Sequence, residues 1–210
     1  MNILKPQISN IKNNEIMELK NLKKEDIIEK INFENEEYNE KSLYEIEFSN
    51  CIFKNVSMQN CNLEKVYFKD VFFENCNFSN SEFLECSFIK CEFRNCKISG
   101  SNFVENRMFN ISFMDTNASY INLSMSSIEN ILFKDTGLKN SFFQENKVKN
   151  IYFDNADLTQ AKFFKTNLKN LDLSNSKIEG IAISIEDIRG AIINQFQAVD
   201  LLYLIGVKIK

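Results

Sequence analysis

The chain of 210 residues contains no histidine. That removes the commonest general base and a principal nitrogen ligand for metals. There is no glycine-rich phosphate loop and no nucleophile–base motif, and its Asp and Glu are scattered as on a solvated surface. The chain is therefore read as a non-enzyme that needs no cofactor and no metal. No apolar run approaches the length of a membrane-spanning helix, so no membrane partner is expected. The opening "MNILKPQISN" lacks the apolar core of a secretory signal, and the expected location is the cytoplasm. An excess of positive charge is also missing. Lys and Arg number 25 against 29 Asp and Glu, a net of −4, so direct nucleic-acid binding is not expected.

What the chain has is a period of five. In "VFFENCNFSNSEFLECSFIKCEFRNC" (Val71 to Cys96) the residues Phe73, Phe78, Phe83, Phe88 and Phe93 stand five apart. Five steps of an α-helix turn about 500°, which scatters the rings around it. Five steps of a straight strand put alternate rings on opposite faces. Yet all 30 positions in this register from Phe33 to Ile178 are apolar, and 15 of the 20 Phe lie among them. At 44% apolar composition chance gives this with a probability of about 10⁻¹¹. A fixed short period means a solenoid.

A second column lies two residues before each centre and holds small or β-branched residues, among them Val56, Val66, Ser81, Ser101, Thr116 and Thr136. All six cysteines (Cys51, Cys61, Cys76, Cys86, Cys91 and Cys96) belong to it, with no CxxC. They are read as small core thiols rather than a disulfide framework or metal cluster. Asn is common two residues after the centre, where it tolerates turn geometry.

These columns resemble the A-(D/N)-L-x-x pattern of the pentapeptide-repeat family, and "ADLTQAKFFKTNLKNLDLSNSKIEG" (Ala156 to Gly180) is close to it. The resemblance implies an all-β solenoid: a right-handed quadrilateral β-helix with one pentapeptide per side and four per coil. Sorting centres by twenties supports four sides independently. One column reads Phe33, Phe53, Phe73, Phe93, Phe113, Phe133, Phe153 and then Leu173, a ladder that requires coils of twenty residues. Thirty blocks at about 4.8 Å per layer make a rod of roughly 36 Å.

The expected division is a cap over 1–30, the β-helix over 31–193, and a C-terminal helix with a short strand over 194–210. Within the cap a hairpin is expected about Asn13 and Asn14, and a helical turn in "KKEDIIEKI". Glu36 and Lys41 are poor small-column residues for a first coil. "NQFQAVDLLYLIGVKIK" reads as a helix with Asn194 as N-cap and Gly206 past its end, followed by a strand from Val207 to Ile209. One stripe, Phe196, Val199, Leu202 and Tyr203, is expected to cap the rod. The other, Ala198, Leu201, Leu204 and Ile205, is expected to form a twofold homodimer. The ending "RGAIINQFQAVDLLYLIGVKI" also resembles those of the Qnr-like, quinolone-resistance type, which dimerise there.

The side with the Phe ladder carries Glu74, Glu92, Asp115, Asp135, Asp154 and Asp172 against Lys54, Arg94 and Lys134, together with outward Ile52, Phe72, Leu132 and Tyr152. It is the candidate partner-binding side. The side beginning at Ile46 is net positive, and a further side displays Leu84, Val104, Met125, Phe142 and Phe164. The Qnr-like resemblance implies a DNA mimic that binds DNA gyrase or topoisomerase IV, a type II topoisomerase, and modulates quinolone susceptibility. The other expectation is a rigid protein–protein interaction scaffold with an unrelated partner.

Overall fold

The computed structural model describes residues 3–9, 11 and 17–208. Its backbone is governed by one repeated event. Every fifth residue turns into the left-handed region, from Glu25 (φ 69°) through Asn75 (φ 55°) to Asn170 (φ 66°), with Gly100, Gly180 and Gly190 filling the same role. A left-handed residue costs most side chains energy, and Asn and Gly least. That is why Asn crowds this column. Each such residue makes a corner, and strand pairing is parallel with partners twenty residues apart, as in Ile27 with Glu47, Phe53 with Phe73 and Phe113 with Phe133. Four corners per coil give a four-sided parallel β-solenoid. We name its sides by their first centres: Phe33, Tyr38, Leu43 and Phe48.

The sides are not equivalent. From Tyr67–Glu74 onward one strand runs through the corner between the Phe48 and Phe33 sides, repeated at Ser87–Arg94, Arg107–Met114, Ser127–Lys134 and Lys147–Asp154. The small-column residues just past that corner are Val71, Cys91, Ile111, Ile131 and Ile151. Four of the five are β-branched, which favours extended backbone. The Tyr38 side is held by isolated bridges such as Asn77 with Lys97.

The core is a set of stacked rings. Phe93, Phe113 and Phe133 lie 4.9 Å apart, centroid to centroid, with planes within 13°. Rings on adjacent sides meet edge to face, as Phe33 and Phe48 do at 5.9 Å and 83°. The small column serves a second purpose. Its hydroxyls and thiols donate to the carbonyl 23 residues earlier: Ser101 Oγ to Phe78 O at 2.6 Å, Thr136 Oγ1 to Phe113 O at 3.1 Å, Cys86 Sγ to Leu63 O at 3.3 Å. These carbonyls are buried, and an unpaired one would be costly. Asn106 extends the device, accepting from the Cys86 N–H at 2.7 Å and donating to Phe83 O at 3.0 Å.

Both ends differ from expectation in part. "KKEDIIEKI" is not helical. Ile27–Glu29 is a strand paired with Glu47–Ser49, and Ile28 is buried in the repeat register, so the solenoid already begins there. The alternating burial of this strand outweighs any helical preference. The first coil is plugged by Leu19, fully buried in a 3₁₀ turn over Leu19–Asn21. Glu36, a poor small-column residue by sequence, anchors that plug by accepting from the Leu19 N–H at 2.8 Å. Burial pushes its carboxyl up, opposed by that same bond. The hairpin expected at Asn13 and Asn14 lies outside the described residues.

At the other end a short helix over Ile185–Ile188, capped by Ser184, precedes the terminal helix Gln197–Leu201 and a 3₁₀ turn Leu202–Ile205. The helix starts later than expected, with Phe196 rather than Asn194 in the N-cap position, but the Asn194 side chain still accepts from the N–H groups of Phe196 and Gln197 at 2.9 and 3.0 Å. Gly206 (φ 75°) ends the turn. Val207 and Lys208 form no strand, and Ile209 lies outside the described residues.

Candidate protein-docking faces

The Phe33 side brings its expected acidic residues into one face but does not leave them as a field of one sign. Residues at equal positions in successive coils stack, so Lys54 meets Glu74 at 3.8 Å and Lys134 meets Asp154 at 3.7 Å. Glu92 is buried and paired with Arg94, whose guanidinium also covers Phe72. Asp135 accepts from the Asn155 amide at 2.7 Å, and Asp172 from the hydroxyl and N–H of Ser174 at 2.6 and 2.9 Å. Those two bonds hold the Asp172 carboxyl below its usual range. Asp115 and Asp135 are exposed at the corner, where they follow a ladder of Asn35, Asn55, Asn75 and Asn95 joined amide to amide at 2.7–3.1 Å.

This side is also covered in part by the chain itself. Residues 3–9 lie over the corner between the Phe48 and Phe33 sides. Leu132 is buried and Phe72 and Tyr152 are half-buried, so the expected outward row of apolar residues is not free. Next to Ile3 and Lys5 a groove of about 890 Å³ opens over Leu132, Val148, Tyr152 and Leu171.

Among the described residues, no segment outside the repeat lies over the Leu43 side. Leu84, Met125 and Phe164 are each 44–50% exposed along it. Val104 and Phe142 are half-buried, the latter beneath the Lys162 ammonium at 4.6 Å. Its corner stacks Glu85, Glu105, Met125 and Glu145 in successive coils. Glu145 is paired with Lys165 at 2.8 Å, whereas Glu85 and Glu105 have no cation in ion-pair reach among the described residues. A hollow of about 250 Å³ lies between Glu105, Arg107, Met125 and Glu145. Sequence reasoning found the apolar residues of this side but missed the carboxylates. Sorting the corner positions by twenties would have placed them beside Met125.

The terminal helix mixes the two expected stripes, keeping Ala198 and Ile205 outward as expected. Leu201 and Leu204 pack on the core, while Phe196 (77% exposed), Val199, Tyr203 and Ile205 face outward with Ala198 and Ile192. The inward turn of Leu201 and Leu204 follows from Gln197. Its amide donates to Leu173 O and Ser176 O at 2.8 and 2.6 Å, sealing two carbonyls of the last complete coil. The inward stripe therefore runs through a polar residue. Tyr203, half-exposed, still hydrogen-bonds to Ile181 O.

The six cysteines are free and buried. Burial pushes the Cys51 thiol up to about 11, and Cys86 and Cys91 up to about 12. Among the described residues no three His, Cys, Asp or Glu side chains converge as metal ligands, and no helix is long and apolar enough to cross a membrane.

Comparison with known proteins agrees with this architecture. The model of the pentapeptide repeat region matches residues 66–143 and 86–163, and that of pentapeptide repeats (8 copies) matches 149–180. No individual curated protein matches by sequence. Among solved structures, HetL, a pentapeptide repeat protein involved in heterocyst differentiation regulation from Nostoc sp. strain PCC 7120, is similar at 12% identity. The match covers 80% of this chain and 91% of that one, with a TM-score of 0.49. A trypsin-treated variant of QnrB1, a plasmid-mediated fluoroquinolone resistance protein, is similar at 22% identity over 88% and 91% of the two chains, with a TM-score of 0.43. The family models together span residues 66–180, more than half the chain, and with its twenty-residue coils and left-handed corners the chain belongs to the pentapeptide-repeat proteins.

Proposed function

We propose that the rod is a non-catalytic scaffold that binds another protein along its Leu43 side. The observation that carries this is the row of Leu84, Met125 and Phe164, exposed beside Glu85 and Glu105, which have no cation within ion-pair distance among the described residues. Single exposed apolar residues are ordinary, but a row along one rigid face marks an interaction surface. The carboxylates beside it would steer a basic partner and fix its register. The test places a photo-crosslinking residue at Met125 or, as control, at Asn77 on the Tyr38 side. Adducts with one defined protein are expected from Met125 and should vanish when L84D/F164D is added to the same chain. Equal adducts from both positions would refute the face.

A narrower reading, that the rod stands in for DNA against gyrase or topoisomerase IV, asks for a face of one sign. The Phe33 side supports it poorly, because its stacked charges alternate. Glu85 and Glu105 offer a shorter acidic pair on the Leu43 corner, bounded by Lys65 on one side and by the Glu145–Lys165 pair beyond Met125 on the other. In a supercoiling assay with gyrase, with and without a fluoroquinolone, this reading expects inhibition or rescue by the wild type and loss of both in E85K/E105K/E145K. An unaffected gyrase would leave the scaffold with a different partner.

The outward Phe196, Val199, Tyr203 and Ile205 support a second proposal, that two copies join end to end as a homodimer. Light scattering should give twice the chain mass of 24.6 kDa for the wild type and the chain mass for F196D/V199D. A monomeric wild type at tens of micromolar would refute it.

A further inference from the structure

Residues 3–9 run across the coils rather than along a strand. The Leu4 N–H donates to Asn110 Oδ1 at 3.3 Å and the Gln7 N–H to Asp70 Oδ1 at 2.9 Å. Asp70 and Asn110 hold the same corner position two coils apart. Two layers of about 4.8 Å span about 9.6 Å, and one three-residue turn of a polyproline II backbone, which brings every third N–H to the same side, rises about 9.3 Å. This corner thus presents side-chain acceptors at the repeat of an extended, polyproline II-like backbone.

Its residues are also unlike those of other corners. Asn75, Asn80 and Glu85 are exposed, whereas Asp70 is 6% and Asn110 1% exposed. Among the described residues the buried Asn110 amide nitrogen has no hydrogen-bond partner, beside the segment that its oxygen holds. The hold on that segment is slight. Ile3, Pro6 and Ile8 are only half-buried, and among the described residues no backbone–backbone bond ties 3–9 to the rod. Segments with few buried contacts and few bonds open most readily. Beyond Leu4 the same face continues into the groove of about 890 Å³, and Asn150 repeats the corner position two coils past Asn110.

We propose that this corner is a binding track for an extended peptide, occupied in cis by residues 3–9, which a partner's extended segment displaces on its way into the groove. The inference rests on the scaffold reading but not on the Leu43 side. The peptide it fits has free backbone N–H groups three residues apart and an apolar residue at the places of Ile3 and Ile8. Occupancy in cis lowers the partner's apparent affinity by the fraction of molecules whose track is closed.

The test uses the full chain and, as probe, a fluorescent peptide with the sequence of residues 1–9. I3D/I8D loosens the strap without touching the rod, and Asn110→Gly in that background removes an acceptor at a left-handed position that glycine suits. By anisotropy, I3D/I8D should bind the probe at least ten-fold more tightly than wild type, and adding Asn110→Gly should reverse the gain. Equal binding, or none, in wild type and I3D/I8D would overturn the proposal. Hydrogen exchange reads the strap directly. Leu4 and Gln7 amides should exchange more slowly in wild type than in I3D/I8D, yet faster than those of Phe113 and Phe133. No difference from the variant would mean no strap. Exchange as slow as at Phe113 would mean a fixed part of the fold. Either result overturns displacement. Because the probe needs no cellular partner, failure here is distinguishable from failure at Met125.

Discussion

Replacing Phe113 with alanine tests the claim that ring stacking along the axis holds the coils together. Phe113 is fully buried, with Phe93 and Phe133 each 4.9 Å away and nearly parallel to it. Emptying such a core position costs about 3–5 kcal/mol. Each lost stack adds about 0.5–1.5 kcal/mol beyond area, which puts this site at the upper end. Domains hold only about 5–15 kcal/mol in all. With a urea slope of about 2 kcal/mol/M, a loss of 4 kcal/mol lowers the midpoint by about 2 M. Phe113→Leu, which keeps most of the volume but loses both stacks, should cost about 1–3 kcal/mol. Lys97→Ala, on the exposed face of the Tyr38 side, should stay within about 0.5 kcal/mol. Since each coil touches only its neighbours, exchange should quicken in the coils of Phe93 and Phe133 before that of Phe53. A cost under about 1 kcal/mol for Phe113→Ala, or loosening spread evenly along the rod, would refute the reasoning.

Gln197→Ala leaves the carbonyls of Leu173 and Ser176 without their donor, and should cost about 1–3 kcal/mol in denaturant melts, with faster exchange at the C-terminal coil. Gly100→Ala builds a Cβ 2.5 Å from Asn80 Oδ1 at a φ of +69°. The Asn80 side chain can swing away, so about 1 kcal/mol of left-handed strain remains, visible as a lower Tm. None of the six buried thiols should react with a thiol reagent at pH 8 in the native protein, and all should react in denaturant; prompt native labelling would contradict the packing. The folded pKa values of Cys51, Cys86 and Cys91 are raised by burial from 9.0 to about 11–12. Their contribution to stability is therefore full below pH 9 and lost as pH rises toward 11–12. Urea midpoints at pH 7.5 and 10.5 should differ in that direction, and by less once the three are changed to alanine.

The sequence disclosed most where one residue type answers one geometric need. The Phe column had to point inward because no helix or straight strand could use it, and the Asn column marks the corners because Asn tolerates a positive φ. Legibility fell where a residue's partner sits in another coil or outside the repeat. Lys54 and Glu74 count as opposite charges in a net sum, but stacked twenty apart they become a pair, and the acidic side dissolves into alternation. Glu36 reads as a misfit until Leu19 needs an acceptor. Asp70 and Asn110 read as ordinary corners, since nothing periodic in residues 3–9 announces a strap.

The terminal helix shows why hydrophobicity alone misplaces a face. A strip of apolar residues from Ala198 to Ile205, broken only by Asp200, offers two stripes of equal greasiness, and burial area cannot choose between them. The choice falls to Gln197, because two coil carbonyls would otherwise be buried unpaired, at a cost of about 1–3 kcal/mol each. That is comparable to exposing one large apolar side chain, at about 1.5–3 kcal/mol. Sealing the coil therefore fixes the helix rotation, and the 3₁₀ turn over Leu202–Ile205 then carries Leu204 inward and Ile205 out. The apolar surface left over, led by Phe196, is a consequence of closing the rod. The same polar requirement that ends the solenoid thus decides which residues it offers to a second molecule.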